Sequence, residues 1–175
     1  MNLLKKTYRC VTLMFFALLF AFPSYAQTAD YQIIPLPRHV QERSGEFLLH
    51  DGIKVMYPKE NVKMQNNASF LAEYVKELTG IKLKAMPGRL PKGAINLVLD
   101  PKIENKEGYR LSVTPKSITI YGQTPAGVFY GIQTLRKSLP TSVQSQVILP
   151  SVVITDEPRF AYRGMMLDVS RHFLS

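Results

Sequence analysis

Beyond an apolar leader, this chain carries helical periodicity in only two stretches, and that confinement decides its fold class. From about Gln65 to Leu78 the apolar residues Phe70, Leu71, Tyr74, Val75 and Leu78 recur at spacings of three and four, which stacks them on one helical face. Thr79-Gly80 ends the pattern, because a glycine just past the last periodic residue takes the left-handed cap conformation at little cost. The second stretch opens with Thr124 as N-cap and Pro125 at the first helical position, and sets Val128, Phe129, Ile132, Leu135 and Leu139 on one stripe. Pro140 closes it. Within it, Gly127 and Gly131 read as sites of close helix packing rather than of chemistry.

Everything around the two helices is broken into runs of strand length. Ile33 to Pro37 carries two prolines and reads as an extended entry at a sheet edge. Phe47 to Leu49 and Ile53 to Tyr57 flank His50-Asp51-Gly52, whose Asp-Gly step favours a tight hairpin. Ile81 to Ala85, Ile95 to Leu99, Tyr109 to Val113, Ile118 to Tyr121 and Val152 to Thr155 come next, the third and fourth joined through Thr114-Pro115-Lys116-Ser117. The pattern predicts an α+β domain, a mostly antiparallel sheet with two helices on one face. Asp156 to Phe160 is a polar, proline-marked break that sets a boundary, so residues 27–157 form one domain and 158–175 begin another. The run from Met165 to Val169 then reads as a strand buried on both faces, interrupted only by Asp168.

The first 26 residues stand outside this domain. Lys5, Lys6 and Arg9 precede an apolar run from Val11 to Phe22 that ends at Ser24-Tyr25-Ala26, the layout of a signal peptide cleaved after Ala26. The run is shorter than the ~20 residues that span a bilayer, so no membrane span is expected after cleavage and the domain is expected to be exported, periplasmic or extracellular. Cys10, the one cysteine, falls inside the leader, which leaves the mature domain without thiolate chemistry, disulfides or cysteine-based metal sites. Of the net charge of +9, three belong to the leader cations, leaving +6. Lysines spread from Lys54 to Lys92 without aromatic interleaving describe a solvated surface, and no nucleic-acid partner is expected.

Two motifs resemble glycoside hydrolase family 20, the β-N-acetylhexosaminidases. One is Gly108 to Leu135, with GYRLSV and TPAGVFYGIQTL, and the more specific is Pro158 to Phe173, reading PRFAYRGMMLDVSRHF. The resemblance implies that the α+β domain precedes a (β/α)8 barrel whose first strand begins here. The 175 residues cannot hold a complete barrel of about 250 as well, so the barrel is incomplete. It implies an exo-acting, retaining enzyme that uses the substrate's own acetamido group as nucleophile, with no metal and no cofactor, on glycans ending in β-linked N-acetylglucosamine or N-acetylgalactosamine.

Residue by residue, similarity to the family makes Arg171 the arginine that binds sugar hydroxyls, a planar donor fork at the end of a barrel strand. Asp168 lies in an apolar run and needs a partner, for which Arg163, five residues back, is the expected ion pair, structural rather than catalytic. His172 is expected to position rather than carry protons. No catalytic residue is assigned, because the family's Asp-Glu pair comes after a later strand, and Asp156-Glu157 precedes the first strand and lacks the family's His-x-Gly-Gly context. The chain alone is therefore expected to be inactive. Two other readings stay open: a non-catalytic carbohydrate-binding or packing module, and the equivalent domain of a neighbouring glycosidase family.

Overall fold

The computed structural model describes residues 26–90 and 92–166. Eight strands form one sheet: β1 (Gln27–Thr28), β2 (His39–His50), β3 (Lys54–Tyr57), β4 (Lys84–Pro87), β5 (Ala94–Leu99), β6 (Tyr109–Val113), β7 (Ile118–Gly122) and β8 (Gln146–Asp156). Among the described residues two helices accompany them, α1 (Val62–Thr79) and α2 (Pro125–Ser138).

One end of each helix is set by the chemistry the sequence suggested. Thr124 caps α2, its hydroxyl accepting from the Ala126 N–H, with Pro125 next in line. Gly80 caps the end of α1 at φ 80°, donating its N–H to the Lys76 carbonyl. The start of α1 lies earlier than the apolar pattern implied, because Asn61 accepts from the Met64 N–H and adds a turn before Gln65.

The sheet corrects one expectation. Strands β4, β3, β5 and β7 run parallel to one another, while β6 pairs antiparallel with β7 and β8, and β2 antiparallel with β8, so the sheet is mixed rather than mostly antiparallel. The reason is α1, which crosses over from β3 to β4 and returns the chain in the same direction. The Asp51-Gly52 step makes a turn but no hairpin, since β2 pairs with β8 and β3 with β4 and β5. Along the sheet β2 and β3 stand five places apart, roughly 24 Å if it were flat. The link from His50 to Lys54 reaches only about 14 Å. The sheet is therefore curved rather than flat.

The two helical stripes and the inward faces of the strands make one core. Leu71, Val75, Val128, Ile132 and Leu135 lie against Ile95, Leu111, Ile120, Leu149 and Ile154, all essentially without solvent exposure. The stripe of α1 sits further round than expected: Met64, Ala68, Leu71 and Val75 are buried, whereas Phe70 stays 44% exposed. Phe70 instead stacks on Tyr74 and meets the edge of Phe129 on the outer side of the helix pair.

Contact explains Gly127 and Gly131. A Cβ at Gly127 would run into the Gly108 carbonyl oxygen, and one at Gly131 would overlap the Ile120 side chain. These glycines let α2 lie directly on the β6–β7 hairpin and the loop before it.

Replacing Leu71 with alanine should cost about 2–5 kcal/mol, the usual cost of deleting a fully enclosed leucine. Phe70→Ala, which empties an exposed site, should cost under about 1 kcal/mol. Urea unfolding of the two variants checks the difference, and equal losses would misplace the buried face of α1.

Candidate functional site

The loop before β6 is built for rigidity. Asn105 folds it back, its side chain accepting from the Glu107 N–H at 2.9 Å and its carbonyl from the Gly108 N–H at 2.9 Å. The Thr124 hydroxyl, at the start of α2, donates to the Lys106 carbonyl at 2.6 Å. With Gly108 pressed against Gly127, the loop is fixed to the helix from both sides.

This places the Glu107 carboxylate beside Tyr130, whose hydroxyl donates to it at 3.1 Å from the exposed side of α2. The third member arrives from the chain leaving the domain. Arg163 Nη2 donates to both oxygens of Glu107, at 2.9 and 3.0 Å, while Nη1 donates to the Phe160 carbonyl at 2.8 Å. The guanidinium is thus tied at one end to its own segment and at the other to the domain. A cavity of about 290 Å³ lies alongside, lined by Ile33, Pro35, Tyr109, Thr134 and Lys137 as well as the three clamp residues. Tyr109 hydrogen-bonds Thr134 within it, and burial pushes its phenol up to about 12, so it stays neutral at any physiological pH.

Of the four residues singled out around the sugar site, Asp168, Arg171 and His172 lie outside the described residues; Arg163 lies within them. Among the described residues its partner is Glu107; the expected pairing with Asp168 falls outside them. Glu107 was missed because nothing local marks it, the contact joining positions 56 apart in sequence. The one signal that pointed to it was its place one residue before GYRLSV. The expected strand from Met165 to Val169 also falls largely outside the described residues; Met165 and Met166 are exposed and unpaired with the sheet. The leader up to residue 25, including Cys10, lies outside too.

Asp156 and Glu157 are occupied structurally. Asp156 accepts from the Arg38 N–H at 3.2 Å and Glu157 pairs with the Arg38 guanidinium, which pins the end of β8 to the start of β2. Among the described residues no group of three or more histidine, cysteine or acidic side chains is placed to hold a metal ion. No helix among them is long and apolar enough to cross a membrane.

Comparison with known proteins places these features in a family context. The profile described as glycosyl hydrolase family 20, domain 2, matches residues 30–157. A β-hexosaminidase of Porphyromonas gingivalis is 39% identical over 151 residues, covering 82% of this chain and 19% of that protein. One of Vibrio furnissii is 30% identical, covering 83% and 22% respectively. Among solved structures, the N-acetyl-β-hexosaminidase of Streptomyces plicatus in complex with Thio-NAglucal superposes with a TM-score of 0.72 at 32% identity, over 81% of this chain and 29% of that one. The β-N-acetylhexosaminidase of Streptomyces coelicolor gives 0.75 at 30% identity, over 86% and 31%. The chain thus spans about a fifth of the length of these curated relatives.

The hydrogen bonds from Arg163, and after them the one from Tyr130, hold the Glu107 carboxyl below the usual carboxylate range. A carboxylate lowered on folding contributes stability above its unfolded pKa and loses it as pH falls through the depressed value. Carbon-13 titration of the Glu107 carboxyl should give a midpoint below that of an ordinary glutamate, and Arg163→Gln should raise it. A midpoint unmoved by that substitution would mean that the pair does not persist in solution.

Proposed function

The chain belongs to glycosyl hydrolase family 20, and from that premise we propose that it is the N-terminal portion of an exo-acting β-N-acetylhexosaminidase. The carrying observation is the match of the family's second domain to residues 30–157, with the motif at Pro158 to Phe173 directly after it. The chain's share of its relatives' length supports reading 158–175 as the opening of a catalytic barrel that continues past Ser175.

The proposed substrate is a glycan with a terminal β-linked N-acetylhexosamine. Arg171 offers its guanidinium fork to two neighbouring hydroxyls of that sugar, which a lysine, as a single point donor, cannot match. A carboxylic acid from the continued barrel protonates the leaving oxygen, a second carboxylate orients the acetamido group, and the acetamido oxygen attacks the anomeric carbon as the leaving group departs; water then attacks that carbon and displaces the acetamido oxygen, so that two inversions give net retention. Asp168 and His172 shape the end of the first barrel strand without touching the reacting atoms. The signal sequence exports the enzyme to the periplasm or beyond the cell.

The 175-residue chain should not release the aryl group from an aryl N-acetyl-β-hexosaminide, whereas the chain extended through the barrel should. The missing acid alone accounts for roughly 10²- to 10⁴-fold. In the extended enzyme, Arg171→Lys should lower kcat/KM while the thermal midpoint holds. Hydrolysis by the short chain, or full activity in Arg171→Lys, would contradict the respective assignment.

Export is read separately: mass spectrometry of the secreted protein should give Gln27 as the first residue. A species that still starts at Met1 would argue for a membrane anchor.

A further inference from the structure

The Glu107 clamp is unexplained by the stability of the small domain. Glu107 and Arg163 retain side-chain exposures of 34% and 42%, and exposed pairs add little to folding. Yet the arrangement is specific. Glu107 sits on a loop crowded by Gly127 and tied down by Thr124 and Asn105, and it receives donors from two different elements. Arg163 commits its second nitrogen to the carbonyl of Phe160, three residues back in its own segment, so the grip on Glu107 is transmitted to backbone. Arg171 lies eight residues beyond Arg163 in the same motif.

We propose that Glu107 is a positioning residue for the hexosaminidase site: by gripping Arg163, it fixes the start of the segment that carries Arg171 against the small domain. The small domain, which holds none of the proposed catalytic groups, thereby sets where the sugar-binding arginine begins its approach. The proposal rests on the proposed function, since it gives Arg171 a substrate to hold. Tyr130 shares the work by donating to the same carboxylate, which leaves Glu107 one preferred orientation toward Arg163.

The test uses the full-length enzyme and two readouts, one of them independent of activity. Glu107→Gln keeps the shape and removes the charge. Hydrogen exchange at residues 158–166 should become faster in this variant while the thermal midpoint of the small domain is unchanged. Its kcat/KM on an aryl N-acetyl-β-hexosaminide should fall by roughly 2- to 30-fold, the range typical of substitutions that act on a site through intervening structure. The loss should lie mainly in KM, because Arg171 grips the sugar before the reaction as well as during it. Arg163→Glu should behave alike, and the exchanged pair Glu107→Arg with Arg163→Glu should recover part of the loss, which a merely structural role for either residue would not produce. Unchanged exchange in Glu107→Gln would overturn the clamp. Faster exchange with unchanged kinetics, or an exchanged pair no better than the single variants, would overturn the positioning role. A full-length wild type that cleaves no hexosaminide would instead refute the proposed function, and the exchange comparison would still decide the clamp.

Discussion

The contact on which the rest of this structure depends is between backbones: α2 lies so close to the β6–β7 hairpin that three positions tolerate no side chain. A Cβ on Gly122 would strike the Val128 amide, one on Gly127 the Gly108 carbonyl, and one on Gly131 the Ile120 side chain. Close approach drives Val128, Ile132 and Leu135 fully into the core, where dense packing gives each apolar group its full set of neighbours. It also settles the loop before β6, because Gly108 can move only if α2 moves with it. Glu107 inherits its fixed position from that contact.

Where a side chain's fate is set by its own segment, the sequence made it readable. The bounds of β6 match the apolar run from Tyr109 to Val113, and the caps at Thr124 and Gly80 are where local hydrogen bonding demands them. Fates set by distant partners were not readable. Phe70 fits the helical period as well as Leu71 does, but the helix turns Ala68 and Leu71 into the core, and Phe70 is left to its aromatic neighbours. β2 was seen only at Phe47 to Leu49 because the rest, from His39 to Glu46, is exposed and, apart from Val40 and Gly45, polar. Those residues pair with β8 by backbone alone, which leaves no hydrophobic alternation to detect. The Asp51-Gly52 turn was legible; which strand β2 would choose as partner was not. The same limit hid Glu107: Arg163 was noticed, but the partner it shows among the described residues is 56 positions away.

The outer edge of the sheet shows how this long strand is kept from pairing with another molecule. In β2 the register slips between Glu42 and Glu46, where Gly45 takes φ 95° beside Pro115, and the irregularity falls in the middle of an otherwise regular edge. His39, Glu42, Arg43 and Glu46 leave that edge charged or polar. On the outward face Arg110 lies 4.4 Å over the Tyr121 ring and 3.5 Å from Asp100, so the cation is already engaged by the protein itself.

An exposed ion pair is a poor source of stability and a good source of direction, and the two properties have the same origin. Water competes for the charges of Glu107 and Arg163, so breaking the pair costs the folded domain little. The geometry is nevertheless narrow: one nitrogen reaches both carboxylate oxygens, and the other is committed to Phe160. Two of these bonds tie the segment to the domain and the third ties the guanidinium to its own segment, while the loop that presents Glu107 is held by Gly108 against Gly127. A domain that orients its neighbour has no need of a strong bond. It needs a rigid base, and here that base is made by the absence of side chains at a few positions in α2 and the strands beneath it.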